Sequence, residues 1–133
     1  SFLLASTVNA IVGQRIVRKI CQHCKISYQP PNQLLNEMKL SLGPLFPNKP
    51  EVLLYKGKGC AECGDLGYMG RIGIYEVMPA SEKISRLILE RTDEPTIEKQ
   101  AIAEGMITMK QDGYLKVLQG ETTIEEVLRV AQD

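Results

Sequence analysis

The chain has 133 residues, a hydrophobic fraction of 44%, and 16 basic residues that balance 16 acidic ones. This length fits one domain, or one domain with a small appendage. Nucleic-acid-binding proteins usually carry a basic excess or aromatic stacking platforms, and here the net charge is zero, with five Tyr, two Phe and no Trp. We therefore expect no nucleic-acid partner. No apolar run reaches the roughly 18 residues that a membrane span needs, so we also expect no direct membrane insertion.

Apolar residues recur at three- and four-residue steps through residues 1–20, which is the period of one helix face. We therefore predict an N-terminal helix there. Its apolar content begins at Phe2 without a capping residue before it, as expected for a chain cut from a longer one. Arg15 and Arg18 fall in the last turns, where cations complement the helix dipole. The alternative for these two arginines is a contact with a neighbouring domain or a nucleotide.

Two C-x-x-C knuckles use all four cysteines of the chain, Cys21 with Cys24 and Cys60 with Cys63. Two such turns can place four thiolates at the corners of a tetrahedron, about 2.3 Å from one zinc ion. The paired spacing favours a structural zinc site. Because four protein thiolates leave no coordination position open, we expect the metal to hold structure and not to catalyse. His23, the only histidine, lies inside the first knuckle, and we interpret it as a bystander.

Three other interpretations of the cysteines compete with zinc. Disulfides need an oxidising compartment, and the chain has no recognisable secretory signal. A thioredoxin-like redox pair would use one C-x-x-C beside a βαβ pattern, which surrounds neither knuckle. An iron–sulfur cluster could use four thiolates, but the usual ferredoxin spacings differ.

Between the knuckles, the sequence predicts a short extended piece at 26–28, a helix at 32–42 that ends before Gly43-Pro44, and a strand at 51–56. A second strand at 72–78 is expected to pair with 51–56 as a short antiparallel hairpin beside the zinc. Four glycines that follow the second knuckle (Gly64, Gly67, Gly70 and Gly73) suit positive φ near a crowded site. They do not match the P-loop or the dinucleotide-binding fingerprint.

After Pro79 the pattern indicates four short amphipathic helices. They cover 82–91 with Ser81 as N-cap, 95–104, 108–119, and a last stretch that follows a capping box of Thr122 and Glu125. Gly113 inside the third helix costs roughly 1 kcal/mol relative to Ala, so it predicts close packing or a break. Because short helices are unstable singly, we expect them to pack together as a bundle. The predicted fold class is α+β and mostly helical.

Several stretches of the sequence together indicate a protein family more specifically than the paired cysteines do. They are Ala5 to Ala10, Gln14 to Cys21, Gly57 to Val77 with the run Gly67-Tyr68-x-Gly70-Arg71-x-Gly73-Ile74-Tyr75-Glu76, and the tail segments that begin at Gly105 and Gly120. With these stretches the chain resembles the C-terminal part of the GspE/PilB family, the hexameric P-loop ATPases of type II secretion and type IV pilus assembly. Residues 29–50 are unmatched, and Asp65-Leu66 departs from the smaller or hydroxyl residues expected there.

The resemblance implies that the parent protein hydrolyses ATP in the cytoplasm and exerts force on an inner-membrane platform protein, lying at the membrane only through partners. It implies three parts: the last helix of the ATPase core at 1–20, a tetracysteine zinc-binding subdomain at 21–78, and a C-terminal helical subdomain at 79–133. The implied partners are the rest of the core, the neighbouring subunits of a hexamer and the platform protein. Arg15 or Arg18 would contact nucleotide or a neighbouring subunit.

No Walker motif occurs in the chain, so ATP and magnesium would bind only through the upstream domain. We therefore expect the fragment to be inactive alone and to couple ATP-driven motion to partners. The alternative function is a free-standing zinc-ribbon module that binds nucleic acid or protein, and the charge balance speaks against nucleic acid. A thiol oxidoreductase or chaperone-like zinc domain is a third alternative, which the presence of only two knuckles weakens.

Overall fold

A computed structural model describes residues 10–131, which form an α+β fold with four strands and five α-helices. Two compact units divide these residues. The helical unit contains 10–14 and Tyr75–Met109, and the cysteine unit contains Arg15–Ile74 and 110–131. In the described part of the chain, no helix is long and apolar enough to cross a membrane.

The strands form two separate two-stranded sheets. Strand β1 (Ala10–Ile20) neighbours β4 (Tyr68–Pro79), and β2 (Lys25–Tyr28) pairs antiparallel with β3 (Leu54–Gly57). The predicted pairing of 51–56 with 72–78 is therefore wrong. The reason lies in the chain path, because the first knuckle leads from β1 directly into β2. As a result, β3, which precedes the second knuckle, pairs with β2, and β4, which follows it, pairs with β1.

The predicted N-terminal helix is wrong over Ala10–Ile20, which forms β1; residues 1–9 lie outside the described residues. Arg15 and Arg18 consequently lie on a strand and not in the last turns of a helix. β-Branched side chains lose rotamer freedom in a helix and pack well on a pleated sheet, so they outweigh the helical spacing here. The β-branched residues of the strand are Ile11, Val12, Ile16, Val17 and Ile20.

The segment between β2 and β3 contains the predicted helix. Helix α1 (Asn32–Leu42) buries Met38 and Leu42, and a short 3-10 helix (Gly43–Leu45) follows it. Gly43 ends α1 with a positive φ of 53°, a conformation that glycine adopts without steric cost. The structure confirms both the helix and its end.

Four short helices follow β4, which confirms their predicted number and order. They are α2 (Glu82–Leu89), α3 (Glu94–Ala103), α4 (Met109–Leu118) and α5 (Ile124–Val130). Ser81 caps α2 as predicted, because its hydroxyl accepts a 3.1 Å hydrogen bond from the Ile84 N–H. The predicted capping box of α5 is one residue too early. Thr123 is the cap, and its hydroxyl accepts from the Glu126 N–H at 3.3 Å.

The four helices are divided between the two units, so a single bundle is not confirmed. Helices α2 and α3 pack on each other in the helical unit, around buried Ile84, Ala101 and Met106. Helix α5 and all but the first residue of α4 belong to the cysteine unit. There, a methyl group on Gly113 would lie 2.5 Å from a Val127 methyl carbon. This confirms the close packing predicted at Gly113.

Candidate metal centre

Both cysteine knuckles lie where one strand ends and another begins. Cys21 follows β1 directly and Cys24 precedes β2, while Cys60 and Cys63 occupy the turns between β3 and β4. Two backbone hydrogen bonds connect the knuckles: the Cys21 N–H donates to the Gly67 carbonyl at 3.0 Å, and the Lys58 N–H donates to the Cys24 carbonyl at 3.2 Å. The strand pairing therefore places two distant parts of the sequence side by side.

The four sulfur atoms converge on one point. The Sγ–Sγ distance is 3.8 Å for Cys21 and Cys60, 3.8 Å for Cys24 and Cys63, and 3.7 Å for Cys60 and Cys63, and all four atoms lie within 4.8 Å of one another. A tetrahedron with metal–sulfur bonds of about 2.3 Å has edges of roughly 3.8 Å. The donor set therefore fits a single tetrahedral metal ion. All four residues are free thiols, so the disulfide interpretation is wrong.

The protein surrounds these sulfurs with low solvent exposure and with hydrogen-bond donors. Cys21, Cys24 and Cys63 are 0%, 4% and 7% exposed, and Cys60 is half-buried. The Gly59 N–H donates to the Cys24 sulfur and the Gly67 N–H donates to the Cys63 sulfur, each at 3.3 Å. Donors of this kind stabilise thiolates, which are the metal-binding form of cysteine.

The thiols differ in acidity. Burial raises the pKa of Cys24 to about 11. Burial also opposes the ionisation of Cys63, but hydrogen bonds, first among them the one from the Gly67 N–H, outweigh it and lower the pKa of Cys63 to about 6. The hydrogen bonds to the Cys63 sulfur therefore favour its thiolate, the form in which cysteine binds a cation.

Glycine is required where the second knuckle meets the end of β3. A methyl group at Gly57 would overlap the carbonyl oxygen of Gly67, so the two backbones approach more closely than any side chain permits. Gly67 has a φ of 81°, and Gly64 and Gly70 also have positive φ, as predicted. Gly73 is absent from the glycines with positive φ, so the prediction is wrong at that position.

His23 is exposed, and the group of converging donor side chains consists of the four cysteines without it. This agrees with the interpretation of His23 as a bystander.

The sequence did not reveal a buried carboxylate that fixes β1 just before Cys21. Glu126 on α5 is only 2% exposed. The Arg18 backbone N–H donates to its Oε1 at 2.7 Å, the Arg18 guanidinium donates to Oε2 at 3.0 Å, and Arg129 donates to Oε1 at 3.1 Å. Burial disfavours the charged carboxylate, but these bonds outweigh it and lower the pKa of Glu126 to about 2.

Further contacts extend this cluster to β4. The Arg18 guanidinium lies over the Tyr68 ring at 4.2 Å from its centroid, and the Tyr68 and Thr123 hydroxyls are hydrogen-bonded at 2.8 Å. The Thr122 hydroxyl donates to the Arg18 carbonyl at 2.7 Å, which explains why Thr122 does not cap α5. We call this set the Arg18–Glu126 network. Arg15, the other arginine singled out from the sequence, is exposed on the same strand.

Comparison with known proteins supports the family that the motifs indicated. Residues 1–129 match the sequence profile of a family described as type II/IV secretion system protein. The type IV pilus assembly ATPase PilB of Thermus thermophilus is 36% identical over 127 residues, covering 96% of this chain and 14% of that protein. PilB of Pseudomonas aeruginosa is 39% identical over 135 residues, covering 100% of this chain and 23% of that protein.

The type II secretion system protein E of Pseudomonas aeruginosa is 36% identical over 132 residues, which cover 99% of this chain and 25% of that protein. The chain therefore spans between 14% and 25% of the length of these three relatives. Because the profile match includes both knuckles and the helices that follow them, the chain belongs to the type II/IV secretion system protein family.

Proposed function

We propose that this chain is a non-catalytic part of a secretion or pilus-assembly motor ATPase and that it carries a structural zinc site. The observation that carries the zinc proposal is the convergence of four sulfurs at tetrahedral spacing. The family membership supports the motor, because the relatives with matching sequence are named as pilus assembly ATPases and secretion system proteins.

The proposed zinc ligands are Cys21, Cys24, Cys60 and Cys63. Thiolate sets in tetrahedral geometry select zinc or iron. A cluster of several iron atoms would hold its four cysteine sulfurs farther apart than the 4.8 Å limit observed here. When bound, the metal would supply a cross-link between the two knuckles and no open coordination position. The chain's own contribution is to place the sulfurs and to stabilise thiolates through the Gly59 and Gly67 N–H groups.

The remaining expectations from the resemblance belong to this proposal. Residues 1–20 would end the ATPase core, 21–78 would form the zinc-binding subdomain and 79–133 would complete the C-terminal domain. ATP and magnesium would bind in the part of the parent protein that this chain does not cover. The parent would act as a cytoplasmic hexamer on an inner-membrane platform protein, and Arg15 or Arg18 would face nucleotide or a neighbouring subunit.

Elemental analysis of the purified chain tests the metal. We expect one zinc per chain in the unsubstituted protein and in His23→Ala, the matched control inside the first knuckle. Cys21→Ser and Cys63→Ser should lose the zinc and the ordered structure of 21–75, because structural zinc is worth on the order of 10–16 kcal/mol in small peptides. Iron in place of zinc, or full zinc retention by both serine variants, would refute the assignment.

ATP turnover tests the non-catalytic role. We expect no hydrolysis by the 133-residue chain alone and restored hydrolysis when it is joined to the remainder of the parent protein. A free-standing zinc-ribbon module is not favoured, because such a module gives no reason for a sequence match that includes all the helices after β4. Measurable turnover by the isolated chain would overturn the non-catalytic assignment without touching the zinc assignment.

A further inference from the structure

The second cysteine knuckle is the side of the candidate metal centre that faces solvent. Cys60 is half-buried, whereas the other three cysteines are buried. The turn that follows Cys60 is exposed at residues 61–62 and 64–66. A small molecule in solution therefore reaches the Cys60 sulfur more readily than the other three. Because the oxidation of cysteine depends on thiolate character and on exposure, Cys60 is the sulfur of this group that an oxidant attacks first.

A second sulfur lies within reach of Cys60 in the same turn. The Sγ atoms of Cys60 and Cys63 are 3.7 Å apart, and a disulfide bond would bring them to about 2.05 Å. The turn is held by local hydrogen bonds: the Asp65 N–H donates to the Cys60 carbonyl at 2.8 Å, and the Leu66 N–H donates to the Cys63 carbonyl at 3.3 Å. A local adjustment of an exposed turn is therefore enough to join the two sulfurs.

Cys21 is the other close neighbour of Cys60, with a Sγ–Sγ distance of 3.8 Å. It is fully buried, and contacts with distant parts of the sequence fix its position. The Cys21 N–H donates to the Gly67 carbonyl at 3.0 Å, and the preceding Ile20 N–H donates to the Glu121 carbonyl at 2.9 Å. A disulfide between Cys21 and Cys60 would strain these bonds, so Cys63 is the better partner for an oxidised Cys60.

The charge around the turn selects the kind of oxidant. Four thiolates around one divalent ion leave two net negative charges, and exposed Glu62 and Asp65 add two more. Lys58, the only basic residue in the segment 58–66, offsets one of them. The surface at Cys60 is therefore negative, and it repels anions while an uncharged molecule approaches freely. Hydrogen peroxide is small and uncharged at neutral pH.

We propose that Cys60 and Cys63 form an oxidative modification site for peroxides. The Cys60 thiolate attacks one oxygen of hydrogen peroxide, so that a sulfur–oxygen bond forms, the oxygen–oxygen bond breaks and hydroxide leaves. The Cys63 thiolate then attacks the sulfur of the Cys60 sulfenic acid. The disulfide bond forms, the sulfur–oxygen bond breaks and a second hydroxide leaves. The two sulfurs together lose the two electrons that reduce the peroxide.

Oxidation at this site removes half of the metal ligands. The sulfurs of a disulfide are no longer thiolates, so only Cys21 and Cys24 remain to hold a metal ion that needs four ligands. The zinc leaves, and the cross-link between the two knuckles is lost with it. The inference rests on the proposed zinc site and adds that the second knuckle makes its occupancy sensitive to peroxide.

Peroxide treatment of the zinc-loaded chain tests the site. Zinc release is followed with a chromogenic chelator, beside a sample without peroxide and a sample in which catalase has destroyed it. After alkylation of free thiols, trypsin releases the knuckles in separate peptides, 20–25 and 59–71. We expect zinc release together with a disulfide inside 59–71, while Cys21 and Cys24 are recovered as alkylated thiols.

Met69 provides an internal reference, because it lies in the same tryptic peptide and is 42% exposed. Peroxides convert methionine to its sulfoxide. The disulfide and the loss of zinc should precede the Met69 sulfoxide in time. Dithiothreitol and added zinc should then restore one zinc per chain and the original thermal unfolding, since a disulfide is reversible whereas a sulfinic acid is not.

A charge-neutralised variant tests the selection of an uncharged oxidant. Glu62→Gln/Asp65→Asn should release zinc about twofold faster than the unsubstituted chain with peroxymonosulfate, an anion, and at the same rate with hydrogen peroxide. Asn tolerates the φ of 62° at position 65. Glu37→Gln, which removes an exposed charge on α1, is the matched control and should leave both rates unchanged.

A disulfide that joins the two tryptic peptides, or zinc release that begins only after Met69 is oxidised, would contradict the inference. An equal effect of the charge-neutralised variant on both oxidants would contradict the selection of an uncharged one. The zinc content before treatment separates this inference from the proposed function. A chain that holds one zinc and keeps it in peroxide refutes the modification site alone, whereas a chain that never holds zinc refutes the metal assignment as well.

Discussion

Replacing Glu126 by Gln is expected to remove a substantial part of the stability of the cysteine unit. The carboxylate has its pKa lowered from 4.5 to about 2, and such a shift corresponds to about 3 kcal/mol. Arg18 and Arg129 are 52% and 56% exposed, so solvent screening reduces the net contribution to about 2 kcal/mol. An amide of the same shape keeps the packing but loses the charge that attracts two guanidiniums.

The pH dependence provides the more specific assay. Because the folded-state pKa lies below the unfolded-state value, the contribution is complete above about pH 4.5 and is lost as the pH falls towards 2. Urea unfolding at pH 7 should therefore show the full difference between the two proteins, and at pH 3 less than about half of it should persist. Comparing the two proteins at each pH cancels the titration of other groups, and the comparison is made on samples in which both proteins retain one zinc per chain by elemental analysis, because zinc release would itself unfold the cysteine unit.

Glu125→Gln is the matched control, since Glu125 is the exposed neighbour on the same helix. It should unfold at the same urea concentration as the unsubstituted chain at both pH values. Equal stability of Glu126→Gln and the unsubstituted chain at pH 7 would refute the reasoning. A difference that stayed constant between pH 7 and pH 3 would show that Glu126 acts through packing and not through charge.

Three further substitutions test the packing and capping. Gly113→Ala should lower the free energy of unfolding by about 1–3 kcal/mol through overpacking against Val127, although Ala is the better helix former; adding Val127→Ala should recover part of the loss. Gly57→Ala should separate the backbone of β3 from Gly67 and reduce zinc retention in a chelator competition. Ser81→Ala should cost about 1 kcal/mol in a thermal unfolding measurement, because the first turn of α2 loses its capping acceptor.

The parts of the structure that the sequence predicted depend on local chemistry. A C-x-x-C turn directs two sulfurs to one side whatever surrounds it, and two such turns leave few arrangements other than a shared ion. Similarly, the end of α1 at Gly43 and the cap at Ser81 are decided by one residue and its immediate backbone. Features of this kind do not depend on the rest of the fold.

The wrong predictions concern residues whose strand or hydrogen-bond partners are distant in the sequence. Residues 10–20 have the apolar spacing of a helix and the β-branched composition of a strand. Only the pairing with β4 makes this segment a strand. Glu126 is separated from Arg18 by more than a hundred residues, so nothing in its immediate sequence indicated a buried ion pair. Thr122 was mistaken for the cap because the bond to the Arg18 carbonyl, which occupies its hydroxyl, is equally long-range.

These long-range contacts also explain how the C-terminal segment supports the metal centre at Cys21. The segment that leads into α5 runs along β1: the Ile20 N–H donates to the Glu121 carbonyl at 2.9 Å, and Thr122 and Glu126 both bond the backbone of Arg18. Cys21 is the next residue after this supported stretch. The C-terminal segment therefore fixes the end of β1, where Cys21, the first metal ligand, follows. The four cysteines connect this end of β1 to the turn that precedes β4. The knuckles and the C-terminal helix thus restrain the same end of the β1–β4 pair and stabilise the cysteine unit together.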